Sequence, residues 1–525
     1  MADKAQTWDV IVIGAGMGGG IATRVLAEAG LRVLVLEKGR AGYRAERTSI
    51  TANALDPVAR SVRSLWPGQI KARIDGRDSA FFGPIGAGIG GSSVFYAATL
   101  ERPERHDLDH SAERPHPTGG WPVSYGEMAP WYDRAEQMLQ VCGDADPLSD
   151  NPCNNLRPAP EMAPGDAALA ASLRAVGLNP YRSHSAIRYV AGCLDCLGHK
   201  CPKPCKMDGR SAGIEPAMET GRVAVLDQVD VAALRGKGGY ITHIEAAVDG
   251  TKRKFEAKAV VLAAGALNTP RLLLASTQDW PTGAANSSDW VGRGLMFHLN
   301  EMFALWPRKS AGFAGPSKAI SMRDLYWKDG LRFGVVQAMG IDAGYGEILH
   351  YLRNMLARTR LGKLRVVREL VRIPAMIAAR LFGNAKVFVG ILEDLPYPEN
   401  RVTFDASDGD DIAIKYDLHP ELRTRRRAFR KAIKRVIKGH KTMFLNRGAE
   451  LNFGHPCGTC RMGNDPETSV VNAECRTHDL ANCWIVDASV MPTSMGVNPS
   501  LTIAANAMRV ATVLAASLKG EARDD

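Results

Sequence analysis

Residues 9–39 read DVIVIGAGMGGGIATRVLAEAGLRVLVLEKG. Val10 to Ile13 is an unbroken apolar run, the pattern of a strand covered on both faces rather than half-exposed. Gly14, Gly16 and Gly19 then space out G-x-G-x-x-G, Ile21 to Ala29 carries helical periodicity, Gly30 ends it, and RVLVLE is a second buried strand closed by Glu37. Each residue type has a physical task. Gly14 permits the tight turn, Gly16 lets backbone approach a pyrophosphate, and Gly19 lets the helix lie close on the sheet. The helix N-terminus faces the phosphates, and an acid at the end of the second strand accepts from a ribose hydroxyl. A lone glycine pattern is weak, but strand, turn, helix and acid in register predict a dinucleotide site. An acid at residue 37 favours an unphosphorylated ribose, hence FAD or NAD rather than NADP.

Working outward, residues 83–102, GPIGAGIGGSSVFYAATLER, place five glycines within residues 83–91. That density excludes a stable helix and suits backbone wrapped around a ligand. Residues 259–276, AVVLAAGALNTPRLLLAS, form another strand, glycine turn and helix. The tail, residues 482–517, holds a buried strand ending near Asp487, a proline-punctuated loop and a long apolar helix. There is no internal repeat and no low-complexity linker. Nucleotide-type units at both ends with other material between predict an interleaved two-domain α/β enzyme with an α+β substrate part.

Bulk properties agree with a large globular chain. It has 525 residues, 45% hydrophobic and 23% charged, which argues against general disorder. No apolar run is read as reaching the ~18–20 residues of a membrane span, and the start lacks a basic region followed by an apolar one. A cytoplasmic protein is expected, with peripheral membrane contact left open. Ten cysteines in such a chain suggest reduced thiols or metal ligands more than structural disulfides. The net charge of +10 is concentrated: residues 347–382 hold eight Arg/Lys against two Glu, and residues 421–441 hold ten against one. No basic-aromatic interleaving or nucleic-acid module accompanies them.

Four stretches together resemble the glucose–methanol–choline (GMC) flavoprotein oxidoreductases. They are the N-terminal fingerprint, GAGIGGSS, AAGALNTPRLLLAS, and GHPCGTCRMG followed by VDASVMPTSMGVNPSLTIAANAMRVA, in the family's order and across nearly the whole chain. The resemblance implies bound FAD, oxidation of an alcohol, and a Rossmann-like FAD-binding domain interleaved with a sheet-plus-helix substrate-binding domain of the p-hydroxybenzoate hydroxylase-like architecture. The FAD domain is expected over 1–110, 205–300 and 450–525. The substrate domain and cap take 111–204 and 301–449, with a basic amphipathic insertion at 347–382. Carried over residue by residue, the resemblance assigns Gly14, Gly16 and Gly19 to the pyrophosphate and Glu37 to the adenosine ribose. It sets Gly90, Gly91 and Ser92 beside the flavin and Val231 at the adenine. Asp487 and Ala488 fall to the diphosphate and ribityl chain, and Pro499 and Ser500 to the isoalloxazine. His455 and Asn498 match the catalytic pair. Tyr96 stands where many relatives carry Asn. Residues 92–100 contain no histidine for a covalent flavin link, so a dissociable flavin is expected.

Chemistry gives His455 a matching task, since alcohol oxidation removes a proton from oxygen and a hydride from carbon. An imidazole titrating near neutrality is a suitable base, flavin N5 takes the hydride, and Asn498 can hold the substrate oxygen. The expected reaction is oxidation of a CH–OH group of a small-molecule alcohol, lipophilic or a sugar. Oxygen, a quinone or a cytochrome remains open as electron acceptor. Alternatives are another flavin reaction on the same fold (lyase or decarboxylase) or a membrane-docked electron-transfer or binding subunit.

Two cysteine groups raise metal readings. Cys457 and Cys460 make C-x2-C without a second such pair, so small buried thiols in a tight loop are expected there. Cys193, Cys196, Cys201 and Cys205 fall within thirteen residues. Plain or paired cysteines are the first expectation, with an iron–sulfur cluster or zinc as alternatives; no metal ligand is assigned. In the two basic segments, Leu364, Val367, Val371 and Leu381 form one apolar stripe, divided or kinked at Pro374, and Phe429, Ile433, Val436 and Ile437 form another. The second is read as the core face of a solvated helix, the first as a lid or membrane-contacting flap.

Overall fold

The computed structural model describes residues 8–44, 56–151, 153–191, 193, 198–307, 318–340, 345–357, 364–383 and 385–524. Its centre is a five-stranded parallel sheet in the order Cys483–Ile485, Ala257–Leu262, Trp8–Ile13, Val33–Leu36, Val223–Leu226. The middle strand is apolar from Val10 to Ile13 because both faces are covered there: Val10, Ile11 and Val12 are wholly buried. Helix Met17–Glu28 packs on one side and meets the C-terminal helix Ser500–Asp524, which also packs on Tyr125–Met138. The C-terminal helix overturns one sequence expectation. Ser500–Gly520 is long and apolar enough to cross a bilayer, yet 72% of its most apolar 18-residue stretch lies inside the protein, where it is a core helix.

The chain passes from the middle strand to Val33–Leu36 on one side and later returns to Ala257–Leu262 on the other. Such a reversal opens a crevice at the carboxyl ends of the strands. Gly14 follows Trp8–Ile13, Glu37 follows Val33–Leu36, Ala263 to Gly265 follow Ala257–Leu262, and Asp487 follows Cys483–Ile485. Residues far apart in sequence thereby share one edge. A three-stranded meander, Val229–Lys237, Tyr240–Val248 and Thr251–Phe255, extends from the sheet. Its second hairpin turns at Asp249 and Gly250, both with positive φ, as a two-residue turn that follows strand twist requires.

A second, six-stranded antiparallel sheet runs in the order Lys441–Phe444, Leu299–Trp306, Lys386–Leu392, Val336–Ala338, Ile320–Met322, Tyr181–Arg182. The basic helix Pro420–Val436 covers it, burying Leu422, Phe429 and Ile433 and stacking Phe429 on Phe333 at 4.9 Å. Most of its cations lie on the outer side, as expected for a core-covering amphipathic helix, but Arg425 is buried and donates to the carbonyls of Arg332 and Glu393 at 3.1 and 2.8 Å. A further sheet pairs Ile70–Ile74 and Arg77–Phe81 with Arg401–Thr403 and Ile412–Tyr416, tying the N-terminal third to residues beyond 400. Between these layers a fully buried ion network holds Arg323 against Glu101, Glu104 and Asp146.

Candidate active site

A cavity of about 850 Å³ lies along the carboxyl edge of the parallel sheet and runs on to the loop of Phe453 to Pro456 and to Asn498. Gly14, Gly16, Glu37, Gly91, Ser92, Val231, Asp487, Ala488, Asn498, Pro499, Ser500 and His455 all line it. Two of the expected residues stand off it. Gly90 lies behind the wall at φ 90°, its N–H donating to the Ala15 carbonyl at 2.8 Å, so it ties the two glycine loops together. Gly19 is a packing residue, since a Cβ there would sit 1.9 Å from the Gly14 carbonyl oxygen.

The residues present fit a dinucleotide. The N-terminus of the twelve-residue helix Met17–Glu28 opens at Gly16 with no side-chain cap and no acid in its first turn, leaving free N–H groups for an anion. A Cβ on Gly16 would meet nothing within 4 Å, so the helix end faces open space. At the other end of the row of lining residues the Asn498 amide oxygen is buried without a partner, an arrangement that requires a ligand or solvent donor. The cavity volume falls within the ~300–1,000 Å³ usual for ligand sites.

Two acids do more than line the wall. Glu37 accepts from the N–H groups of Ala15 at 2.8 Å and Gly39 at 2.9 Å, so it braces the glycine turn as well as facing the cavity. Burial raises its pKa, and the bonds from Ala15, Gly39 and Gly88 pull the other way. Asp487 accepts from Gly265 N–H at 2.9 Å and the Thr269 hydroxyl at 2.5 Å through one oxygen, and from Ser489 N–H at 2.8 Å through the other. It locks two strand-end loops in place. Tyr96 lines the wall and donates its hydroxyl to the Met207 carbonyl.

The His455 loop is held by main chain on both flanks. Met296 and Cys457 exchange two backbone bonds, of 3.0 and 3.1 Å. Gly458, Cys460 and Met462 donate to the carbonyls of Ala488, Ser489 and Val490. Cys457 and Cys460 are wholly buried, and burial pushes both thiols well above their ordinary range, so they fill space. The bridge through Met296 brings in a residue that sequence reading missed, His298. Its ring meets His455 edge-on at 5.1 Å, and the two Nδ1 atoms are 3.1 Å apart.

That contact determines the tautomer. His298 Nε2 lies 2.9 Å from the Met495 carbonyl, which can only accept, so Nε2 carries the proton. Burial pushes His298 down to about 4, so the ring is neutral and its Nδ1 is a lone pair. The His455 tautomer that satisfies this lone pair donates through Nδ1–H and leaves Nε2 as the basic atom. Burial and the neighbouring His298 hold His455 well below the ordinary histidine range. The amide nitrogen of Asn452, 3.1 Å from the same Nδ1, is positioned to support the opposite tautomer should His298 be lost. No local motif marks His298 or Asn452; they are 157 and 3 residues from His455.

In the second cysteine group, Cys196 lies outside the described residues. Cys201 and Cys205 are buried, Cys193 partly so, and Cys205 is pushed up to about 12 by burial and by Cys201 and Cys193. Among the described residues no three His, Cys, Asp or Glu side chains converge as metal ligands, and nothing there supports an iron–sulfur cluster or zinc.

Comparison with known proteins gives a consistent result. The N-terminal GMC oxidoreductase profile matches residues 9–300 and the C-terminal one residues 396–507. The chain is 28% identical to 6'''-hydroxyparomomycin C oxidase of Streptomyces lividus, covering 98% of this chain and 93% of that protein. It is 28% identical to 2-methyl-1,2-propanediol dehydrogenase of Mycolicibacterium austroafricanum, covering 97% and 95%. In fold it is similar to pyridoxine 4-oxidase from Mesorbium loti, with a TM-score of 0.63, 20% identity and coverage of 97% and 99%. The glycine crevice, the His455–Asn498 end and the length of the match agree: this chain belongs to the GMC oxidoreductases, a family of FAD-binding enzymes that oxidise alcohol groups.

Proposed function

We propose that this protein oxidises the CH–OH group of a small-molecule alcohol to a carbonyl, with FAD held non-covalently in the 850 Å³ cavity. The observation that carries this reading is the pairing, on one wall of the cavity, of the His455 imidazole, tied through Nδ1 to His298, with an Asn498 amide whose oxygen no protein group engages. Bound FAD supplies the two-electron acceptor for the hydride leaving the carbinol carbon. His455 Nε2 takes the hydroxyl proton. Asn498 donates its amide N–H to the substrate oxygen, and the main chain at Pro499 and Ser500 sets the distance at which it does so. The neutral state of His455 is what the base needs before the substrate binds, and burial maintains it.

The test is anaerobic mixing of the yellow protein with a panel of long-chain, aromatic and vicinal-diol alcohols and sugars, followed by loss of the oxidised flavin's visible absorption. One class should bleach it, and His455→Ala should slow bleaching about 10²–10⁴-fold while the flavin stays bound. Bleaching by no alcohol or sugar refutes the reading. Denaturation should release all the flavin into solution; colour that stays with the precipitate refutes the non-covalent site.

A further inference from the structure

The basic insertion is built inside out. Helices Arg365–Leu370 and Arg372–Phe382 follow one another, joined at Val371, with Pro374 tolerated in the first turn of the second. Val366 is 71% exposed, Leu370 56%, Ile373 54%, Ile377 53% and Leu381 64%. The steps between them are four, three, four and four residues, the spacing of a single helical face, and exposed Met376 lies beside it. The sequence stripe expected here included Val367 and Val371, but those two are partly covered, and the exposed stripe is shifted round the helix. The protein-facing side carries Ala375, which is buried, and Phe382, which stacks on Trp306 at 5.7 Å. Helix Pro420–Val436 shows the ordinary arrangement, with Leu422, Phe429 and Ile433 buried. A contiguous row of branched side chains turned to water marks a surface that something else covers.

Charge indicates what covers it. Residues 347–382 carry eight Arg/Lys against two Glu. Arg372 and Arg380 flank the stripe and, with Tyr345, Ile373 and Met376, line a surface groove of about 460 Å³. A second copy of this chain would set the segment's excess of arginine against itself, since Glu369 is already paired to Arg353 and Arg372 at 3.2 and 2.7 Å. An anionic bilayer answers both features at once: apolar side chains enter the acyl boundary while arginines reach the phosphates. The segment joins strand Lys386–Leu392 at its start, beside the end of Leu299–Trp306. His298 precedes the other end of that strand, about 24 Å away at 3.4 Å per residue. The segment therefore sits away from the chemistry and does not cover His455.

We propose that residues 364–383 dock this protein peripherally on anionic lipid bilayers, inserting Val366, Leu370, Ile373, Ile377 and Leu381 with Arg372 and Arg380 at the headgroups. The proposal is independent of the alcohol oxidised. The test is flotation of the full-length, flavin-loaded protein with vesicles of phosphatidylcholine alone and of phosphatidylcholine with one-third phosphatidylglycerol, at low and high salt. The protein should float with the anionic vesicles, less so at high salt, and hardly at all with phosphatidylcholine. Ile377→Asp with Leu381→Asp should cut the bound fraction about tenfold or more. Arg427→Glu with Lys431→Glu, on the other basic helix, should change it less than about twofold, since that helix has no outward apolar row. Unchanged thermal unfolding of the variants would show that the fold is intact. Absence of flotation by the unaltered protein overturns the proposal. So does equal binding to both vesicle types, or equal loss in both variant pairs. A dimer that Ile377→Asp dissociates, without vesicle binding, overturns it in favour of a second copy.

Discussion

Replacing His298 tests the arrangement of the site most directly. In the folded protein His455 donates Nδ1–H to the His298 lone pair, and the competing donor, Asn452 Nδ2, waits at 3.1 Å. His298→Ala removes the acceptor that favours the productive tautomer and leaves only the donor that favours the other. Each neutral hydrogen bond contributes about 1 ± 0.5 kcal/mol net, so exchanging one for the other shifts the tautomer balance by about 2 kcal/mol, or roughly 30-fold. In the unproductive form the proton sits on Nε2, and the atom facing the substrate is no longer a base. The expected result is a fall of about 30-fold in the rate of anaerobic flavin reduction at saturating alcohol, with KM altered less than about threefold. Adding Asn452→Asp supplies an acceptor at the same position while its oxygen still receives the Gly454 N–H. The double variant should recover much of the lost rate. An unchanged rate in His298→Ala, or a double variant no faster than the single one, refutes the tautomer argument.

Other outcomes follow from the same structure. His455 must be neutral to act, and burial with His298 beside it lowers its pKa; kcat/KM should therefore stay level as pH falls through 6.5 and drop only below it, and a half-point at or above about 6.5 contradicts the assignment. Gly19→Ala would set a Cβ 1.9 Å from the Gly14 carbonyl oxygen, so the purified protein should lose flavin and unfold at a lower temperature; a full flavin complement would refute the packing role. Burial alone would raise Glu101, and His184 and Arg323 hold it below the ordinary carboxylate range. Arg323→Met strands that acid with Glu104 and Asp146, and denaturant unfolding should show a loss of about 3–5 kcal/mol. A loss under about 1 kcal/mol would mean the network relaxes.

Much of the nucleotide end is readable because its signals are local. An unbroken Val10–Ile13 run, a positive-φ requirement at Gly14 and an acid closing the next strand all lie within one thirty-residue window. Backbone stereochemistry and burial on both faces act through near neighbours; His455, in residues 453–463, is marked instead by resemblance to the GMC pattern. The roles inside each motif are less readable. Gly90 sits behind the wall, and Glu37 and Asp487 brace loops, because those contacts cross between strands whose order is not written in any one segment.

Sequence alone pointed to the phosphate-binding turn through residue type and short spacing, and to the candidate base and its amide partner through resemblance to the GMC pattern. Only the tertiary structure decided that His298 sets the proton on His455, because a contact across 157 residues exists only once Met296 and Cys457 pair. It also decided which face of the 364–383 helices points outward. Periodicity shows that a helix has an apolar side, but the direction of that side depends on what the rest of the chain offers to cover it, and here the cover goes to Ala375 and Phe382 instead.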